Sequence, residues 1–477
     1  MTQHTLLLSA DQQQSLKLIN ATKRVTVIVV KWKYPFFTKL ENFHKPKDAA
    51  LIGIFAEQMR LKIHLEAEQH FDMIFWYKTD YTDFEHVYVD SNGIELPEAR
   101  NLMERIASII SPSKLRVLDT EEYMIDFVCK LRKELAIPGP FEEDLTRLRD
   151  KAILKDIIYK NGIPTAKYDT VNFGELDWDD VDSKTEDVYK QIGVFPMFRK
   201  PTSGCGSGGG GRIDSKAELA AWIRQELSDG QTSTYLIEER LAGRQFTAVV
   251  CLLPNGQWRP IYILHTDGIP VAEALNKGIP IPFIGRRFED FEDDFPEMEK
   301  FVGSAIETLK PPHPHVFCVQ GFQVNNFQLK SGTPSYMFME CGYRQNGARG
   351  TGLSYGASGV SLETALIQCH LDENYEADPD PNRPKTYEAH LWWPFKKGVL
   401  RSHNALPARS PVTSKVEFNW NVPSKTRLCV AQSVAHFVVW ARIRNADSDT
   451  LEEDLQWLMT NWRPDIILDK EEEFQKG

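Results

Sequence analysis

The chain has 477 residues, of which 42% are hydrophobic and 26% are charged. This is ordinary globular composition, long enough for roughly two to four domains. The net charge of −11 argues against a general nucleic-acid surface. No apolar run approaches the roughly 20 residues of a membrane span, so we expect no membrane partner.

Two further features predict a cytoplasmic protein. The first residues lack a basic stretch before an apolar core, so we expect no secretory signal. The seven cysteines are scattered and form no Cys-x-x-Cys pair, which indicates free thiols in a reducing cytosol.

The first part of the chain, up to the Pro- and Gly-rich turn at 137–140, is typical of an α/β unit. Its predicted strands lie at 24–30 and 71–76, and its predicted helices at 49–65 and 101–110. Because strands and helices alternate, we expect a parallel sheet. A further helix is predicted from Thr146 to the helix stop at Asn161 and Gly162. The charged residues near its start are usually a solvated face.

A glycine-rich loop follows the short hydrophobic run 195–198, Lys200 and Pro201, with six glycines between Gly204 and Gly211. Glycine lets backbone N–H groups turn towards an anion, and a lysine beside such a loop suits a phosphate. The loop lacks the Gly-Lys-Ser/Thr ending of a P-loop, so a flexible linker or a hairpin fits its own residues equally well.

Downstream, two pairs of strands carry acidic residues at their ends. The segment 234–250 is interpreted as strand, connector around Gly243 and strand, with Glu238 and Glu239 at the first strand's end. By itself this segment favours a pair of surface acids. Antiparallel strands are predicted at 321–330 and 335–341, the second ending in Glu340. Helices at 361–369 and 451–458 and a β-rich stretch at 427–444 complete the chain.

The order of these motifs is more informative than any one of them. A helix from Arg-Asp-Lys to Asn-Gly-Ile-Pro precedes Phe-Pro-x-x-x-Lys-Pro and the glycine loop. Glu-Glu-x-Leu-x-Gly and Met-Glu-x-Gly-x-Arg follow. This series resembles the ATP-grasp superfamily of carboxylate–amine ligases, which includes D-alanine–D-alanine ligase, biotin carboxylase, carbamoyl phosphate synthetase and dipeptide-forming ligases. The resemblance covers 146–370 closely and the rest loosely.

The resemblance implies a mixed α/β and α+β architecture with the ATP-grasp fold. It implies an N-terminal parallel-sheet domain at 1–140, an ATP-grasp domain at 141–370 and a C-terminal α+β region at 371–477. Within the central domain it implies linker helices at 141–190, a glycine-loop lobe at 191–250 and a catalytic lobe at 251–370.

The resemblance also implies an ATP site. Its residues match the nucleotide-binding positions of relatives: Lys151, Lys200, Gly204, Gly206, Ser207, Gly209, Glu238, Glu239, Leu241 and Gln245. Lys151 and Lys200 would contact phosphate, and Glu238, Glu239 and Leu241 would surround the base. Gln245 falls where many relatives have a ribose-binding glutamate, and an amide also hydrogen-bonds a hydroxyl.

The implied Mg²⁺ site, with Mn²⁺ as an alternative ion, departs from the family pattern. Relatives supply an acid and then Glu-x-Asn, which here match Asn326, Glu340 and Gly342. One carboxylate and one amide oxygen remain, and Mg²⁺ needs few protein ligands when phosphates complete its shell. Arg344 matches the arginine that faces the transferred phosphoryl group, so Arg344, Lys200 and Glu340 are the predicted catalytic residues.

The implied activity joins a carboxylate to an amine, with amino acids as candidate substrates and a homodimer as a candidate assembly. A small-molecule kinase, a carboxylase or a nucleotide-binding protein without turnover are the alternatives, and the glycine at 342 favours the last. Arg286 and Arg287 suit either a substrate carboxylate or a basic surface. His265 is more often an ordinary strand-end histidine than a substrate ligand.

Overall fold

The computed structural model describes residues 8–32, 40–61, 63–79, 94–204, 209–288, 295–324, 335–347, 350–383, 386–432, 434 and 436–469. Among these residues, no helix has both the length and the apolar character needed to cross a bilayer.

The N-terminal part is built on a four-stranded sheet whose strands all run parallel. Its strands are β1 (Val25–Lys31), β2 (Ala49–Ala56), β3 (Met73–Tyr77) and β4 (Leu115–Asp119), in the order β3-β2-β1-β4. Its helices are α1 (Ala10–Thr22), α2 (Leu65–Glu68), α3 (Pro97–Ala107) and α4 (Ile125–Glu134). The predicted parallel sheet is therefore confirmed.

The helix predicted at 49–65 is wrong. Its first half is β2, every residue of which is buried between β1 and β3. A strand covered on both faces is apolar at every position, so its pattern does not distinguish it from a buried helix. Among the described residues of this stretch, α-helix is limited to Leu65, the first residue of α2.

The linker that follows contains two helices where one was predicted from Thr146. These are α5 (Glu142–Arg149) and α6 (Lys151–Lys160). Asp150 separates them, and its Oδ1 accepts hydrogen bonds from the backbone N–H groups of Ala152 and Ile153, each at 2.9 Å. An aspartate in this position caps a new helix, so α6 begins at Lys151.

A four-stranded antiparallel sheet comes next, and we call it the small sheet. Its strands are β5 (Tyr168–Asn172), β6 (Met197–Pro201), β7 (Gly211–Ile213) and β8 (Thr234–Glu239), in the order β5-β8-β6-β7. Helices α7 (Val181–Ile192) and α8 (Lys216–Ser228) pack on it. The glycine loop joins β6 to its antiparallel neighbour β7, so it closes a hairpin.

The largest of the described sheets is an eight-stranded antiparallel sheet, which we call the large sheet. Its strands are β9 (Gly243–Leu252), β10 (Trp258–Thr266), β11 (Ile281–Arg286), β12 (His315–Val324), β13 (Ser335–Gly342), β14 (Tyr387–Pro394), β16 (Lys415–Trp420) and β18 (Phe437–Asn445). The spatial order is β13-β12-β9-β10-β11-β14-β18-β16. The predicted pairing of 321–330 with 335–341 is present for residues 321–324, at the end of β12, which pair with β13, and residues 325–330 lie outside the described residues.

The remaining elements surround the large sheet. They are α9 (Val271–Asn276), α10 (Met298–Leu309), α11 (Gly350–Ser358), α12 (Leu362–Leu371), α13 (Ser448–Asn461), β15 (Gly398–Ser402), β17 (Arg427–Leu428) and β19 (Asp465–Leu468). The last three strands form a separate sheet in the order β17-β15-β19. The large sheet includes strands from both sides of residue 370, and the division of the chain into domains stays a prediction.

Candidate active site

A cavity lies between the small sheet and the large sheet, and most of the predicted site residues line it. They are Lys151, Lys200, Gly204, Glu238, Glu239, Leu241, Gln245, Glu340 and Arg344. The predicted residues Gly206, Ser207 and Asn326 lie outside the described residues. Gly209 does not line the cavity. Its φ is +70°, and a Cβ added there would lie 2.9 Å from Pro201 Cγ, which explains a glycine at this position.

Lys151 connects the linker to the glycine loop. Its backbone N–H donates to the carbonyl of Thr202 at 2.9 Å, and its Nζ donates to the carbonyl of Gly204 at 2.8 Å. The side chain is buried, so the expected solvated face is wrong at this position. The helix start at Asp150 therefore places one cation at the mouth of the loop.

Glu238 is buried between two lysines. Its carboxylate oxygens lie 3.0 Å from Lys155 Nζ and 2.7 Å from Lys200 Nζ. Burial by itself raises the pKa of Glu238, but the two ammonium charges outweigh it and lower the pKa to about 2. Glu238 is thus ionised at neutral pH, and the surface-acid interpretation of this residue is wrong.

The two lysines respond to burial differently. Burial lowers the pKa of Lys155, and the nearby charge of Lys200 lowers it further against the attraction of Glu238. Burial also lowers the pKa of Lys200, but Glu238 and Glu340 outweigh this effect and raise the pKa overall. Lys200 therefore stays a cation in the cavity wall, where an anionic ligand would meet it.

Lys155 is a buried residue beside the candidate site that the sequence analysis left on a solvated face. Its side chain is 0% exposed, and its Nζ also donates to Thr165 Oγ1 at 2.6 Å and to the carbonyl of Phe338 at 3.3 Å. It does not line the cavity and instead holds Glu238 from behind. The available signal was its position four residues after Lys151, on the same side of the helix.

An apolar patch adjoins the connection between β8 and β9. Leu241 is buried with Ala166, Phe322 and Val324, and Met339 packs against them. Leu241, Phe322 and Met339 line the cavity. A flat apolar ring such as a nucleobase fits a patch of this kind beside polar groups.

The side chain of Gln245 is held by the first residue of α9, Val271. Its Oε1 accepts a hydrogen bond from the backbone N–H of Val271 at 3.1 Å. This contact uses the acceptor of the amide and leaves its NH₂ group as a donor towards the cavity. Thr266 lies directly opposite Gln245 on β10 and also lines the cavity.

The register of the large sheet places a row of side chains along the cavity floor. Glu340, Gln320, Thr247 and Leu264 are consecutive cross-strand partners on β13, β12, β9 and β10, and all four line the cavity. Gln320 is therefore the residue directly opposite Glu340. The sequence reasoning missed it, because counting along a hairpin cannot locate a bulge, and the β12–β13 register shifts at 320/321.

The described residues include no group of three or more His, Cys, Asp and Glu side chains able to hold a metal ion. Glu340 and Gln320 nevertheless offer one carboxylate and one amide oxygen on the cavity floor. Such oxygen donors fit Mg²⁺ when nucleotide phosphates and water complete the shell. At Gly342, an added Cβ would lie no closer than 3.7 Å to Arg344, so space does not require the glycine.

Arg344 is oriented by a carboxylate from the N-terminal part of the chain. Its Nε donates to Glu122, which also accepts from Arg149 Nε at 3.4 Å. Burial raises the pKa of Glu122, but Arg344 and Arg149 outweigh it and the pKa is lowered. A charged Glu122 thus fixes the guanidinium at the edge of the cavity.

The other basic candidates do not face the cavity. Arg286 is buried, pairs with Glu452 and lies over the ring of Tyr387. Neither Arg286 nor Arg287 lines the cavity, so a substrate role in it does not fit either residue. His265 is buried, and burial lowers its pKa.

Ligases and synthetases are among the solved structures that are similar to this chain. An L-amino acid ligase from Bacillus licheniformis aligns with a TM-score of 0.65 at 14% identity, over 94% of this chain and 100% of that one. An N5-carboxyaminoimidazole synthetase from Staphylococcus aureus, complexed with ADP, aligns with a TM-score of 0.56 at 12% identity, over 92% and 98%.

A third similar structure contains a metal nucleotide. It is the biotin carboxylase domain dimer of the Hydrogenobacter thermophilus 2-oxoglutarate carboxylase, with MgADP, ADP and bicarbonate. Its TM-score is 0.56 at 11% identity, over 92% of this chain and 90% of that one. No protein-family model matches the sequence, and no curated protein matches it significantly.

These likenesses show that the chain has the ATP-grasp fold, with an N-terminal parallel sheet and a large antiparallel sheet. The fold predicted from the ordered motifs is therefore confirmed. At sequence identities of 11–14%, the similarity to these structures shows the fold and not the reaction or its substrates.

Proposed function

We propose that this protein is an ATP-dependent ligase that activates a carboxylate as an acyl phosphate for attack by an amine. One observation carries the proposal: Lys151, Lys200, Glu340 and Arg344, which the motifs assign separately, line a single cavity. Acyl-phosphate chemistry requires charge stabilisation around a transferred phosphoryl group, and needs no enzyme nucleophile.

The residues of the cavity would each have a separate role in the reaction. Lys151 and Lys200 bind the phosphates, and Leu241 and Gln245 bind the base and ribose. Glu340 and Gln320 would hold Mg²⁺, which neutralises charge on the phosphates. Glu238 contacts both Lys155 and Lys200. These contacts would hold the Lys200 side chain in position while the charge on the phosphates changes during phosphoryl transfer.

Arg344 would bind the reacting carboxylate or the transferred phosphoryl group. A carboxylate oxygen of the acid attacks the γ-phosphorus, and ADP leaves. The amine then attacks the acyl carbon, loses a proton and displaces phosphate. Exclusion of water from the cavity would protect the acyl phosphate from hydrolysis.

A phosphate-release screen over pairs of acids and amines tests the proposal. L-Amino acids belong first in the panel, because one similar structure is an L-amino acid ligase. We expect ADP and phosphate only when both substrates are present. A stable phosphorylated product would instead indicate a kinase, and a bicarbonate requirement a carboxylase.

Variants connect the activity to the cavity. Lys200→Ala and Glu340→Ala are expected to abolish turnover, whereas Lys160→Ala, on an exposed face of α6, keeps wild-type rates. Wild-type rates in either cavity variant would refute the site. Light scattering tests the proposed homodimer, a state described for one similar structure.

A nucleotide-binding protein without turnover is the second candidate function. The amide of Gln320 opposite Glu340 and the glycine at 342 favour it, because they leave one carboxylate among these three positions. ATP binding without ADP release in any acid and amine pair would support this candidate and exclude the ligase.

A further inference from the structure

The cavity floor changes from charged to apolar along the large sheet. Glu340 lies at one end of the row of side chains that crosses β13, β12, β9 and β10, and Leu264 lies at the other. Three strand spacings of about 4.8 Å separate them, so roughly 14 Å of floor lies between the two residues. Val271 of α9 and Phe283 of β11 line the cavity with Leu264, and all three belong to one buried hydrophobic cluster. We call these three residues the apolar end.

The apolar end is separate from the patch proposed to bind the nucleobase. Leu241 packs in that patch with Phe322 of β12 and Met339 of β13, towards the edge of the large sheet that β13 forms. The apolar end lies further across the sheet, on β10, β11 and the adjoining helix α9. A nucleotide bound with its base on Leu241 and its phosphates at Lys151 and Lys200 would therefore leave the apolar end for another ligand.

Asn346 adds a hydrogen-bond donor to the wall of the cavity. Its Oδ1 accepts a hydrogen bond from the hydroxyl of Tyr262 at 2.8 Å, and Tyr262 lies two residues before Leu264 on β10. Side chains two residues apart on a strand share a face, so Asn346 lies beside the apolar end. Asn346 is 3% exposed and lines the cavity, and among the described residues its Nδ2 has no hydrogen-bond partner. Since a buried donor without a partner is unfavourable, an oxygen of a ligand would satisfy it.

The acidic residue of α9 beside the apolar end is already paired. Glu273 is two residues from Val271, is buried and lines the cavity. One of its carboxylate oxygens pairs with Arg240, and the other lies 3.7 Å from Nη1 of Arg212. A charged side chain of a ligand would therefore meet an apolar wall without a charged partner, which disfavours it, whereas an apolar side chain gains from burial.

We propose that the carboxylate substrate is an amino acid with an uncharged, apolar side chain, which binds at the apolar end while Asn346 donates to one of the substrate's oxygens. The inference rests on the proposed ligase function, in which Arg344 contacts the reacting carboxylate or phosphoryl group. Asn346 follows Arg344 by two residues and lines the same cavity, so one substrate can contact both. Asn346 and the apolar end then determine which acid is used.

Calorimetry on the full chain, saturated with Mg²⁺ and a non-hydrolysable ATP analogue, tests this inference without relying on turnover. The probes are L-leucine, L-asparagine and L-aspartate, whose side chains have nearly the same size and shape. We expect L-leucine to bind at least about tenfold more tightly than either of the others, because the apolar end rewards burial of an apolar group and offers a charged or amide group no partner.

Two matched aspartate variants locate the effect. Asn346→Asp replaces the donor by a carboxylate oxygen, keeps an acceptor for Tyr262, and is expected to weaken L-leucine binding at least about tenfold. Asn255→Asp makes the same change in the exposed turn between β9 and β10, at a residue that does not line the cavity, and is expected to leave L-leucine binding unchanged. Val271→Thr adds a hydroxyl to the apolar end with little change of shape, and is expected to reduce the preference for L-leucine over L-asparagine at least about threefold. Cooperative urea unfolding checks that each variant is folded.

The possible results separate this inference from the proposed function. L-Leucine binding that is absent or no tighter than that of the other two amino acids, or equal behaviour of the two aspartate variants, would overturn the inference alone. Phosphate release with another acid and amine pair would then leave the proposed function intact. Failure of the ATP analogue to bind would overturn both. If Asn346→Asp does not fold, the preference of the wild type decides the inference.

Discussion

Replacing Lys155 by methionine tests the buried contacts beneath the cavity. The substitution removes the ammonium that lies 3.0 Å from Glu238 and keeps a side chain of similar length in a fully buried place. Thr165 Oγ1 retains its own hydrogen bond to the carbonyl of Phe338 at 2.8 Å, so no hydroxyl loses its acceptor. Glu238 would keep Lys200 as its remaining partner.

The size of the effect follows from the geometry. Two unit charges 3.0 Å apart attract by about 5 kcal/mol at an effective dielectric constant of about 20. Lowering the Glu238 pKa from 4.5 to about 2 corresponds to about 3 kcal/mol of net stabilisation, which both lysines supply. Since breaking a buried pair leaves a poorly compensated charge, we expect Lys155→Met to lower the free energy of unfolding by about 3 kcal/mol.

The pH dependence has a definite sign. The folded-state pKa of Glu238 is below its ordinary value of 4.5, so its stabilisation is complete above that pH and is lost as the pH falls towards 2. The difference in unfolding free energy between wild type and Lys155→Met is therefore largest at neutral pH. It should shrink when the pH is lowered from 4.5 towards 2.

Urea unfolding of the wild type and of Lys155→Met measures this difference in unfolding free energy. Calorimetry measures the nucleotide affinity of the same two proteins. Lys160→Met is the matched control. The Nζ of Lys160 lies 3.4 Å from a carboxylate oxygen of Asp156, and the lysine side chain is 72% exposed. Exposed pairs of this kind contribute about 0.5 kcal/mol or less. If Lys155→Met destabilised no more than Lys160→Met, the reasoning about Glu238 would be refuted.

Two further predictions concern the backbone and the arginine. Gly243 has a φ of +148°, and a Cβ there would lie 2.1 Å from the carbonyl oxygen of Gln323, so Gly243→Ala should cost about 2 kcal/mol or more in urea unfolding. Gly162→Ala, with a φ of +75° but open space, should cost about 1 kcal/mol. Glu122→Gln should loosen Arg344 and lower kcat at least about tenfold, with little change in KM for ATP, in a phosphate-release assay.

Specific results would contradict these two predictions. Equal costs for Gly243→Ala and Gly162→Ala would show that the contact with β12 does not require a glycine. A raised KM for ATP with unchanged kcat in Glu122→Gln would place Glu122 in nucleotide binding instead of in the positioning of Arg344.

Much of the site was predictable because its residues belong to local motifs. Lys200 stands beside its glycine loop, and Glu238 and Glu340 end apolar strands, so each is recognisable within a few residues. The order of these motifs was sufficient to predict the fold. Burial was not predictable in the same way, since Glu238 matched a surface acid until Lys155 and Lys200 were seen on either side of it.

The sequence by itself thus determined which residue types serve the cavity and in what order they occur. The tertiary structure alone decided which of them meet. Gln320 faces Glu340 because of the register of β12 and β13 and the bulge between them. Glu122 reaches Arg344 across 222 residues of chain. Local sequence specifies backbone preference and side-chain chemistry, whereas such partnerships depend on long-range packing that no short pattern encodes.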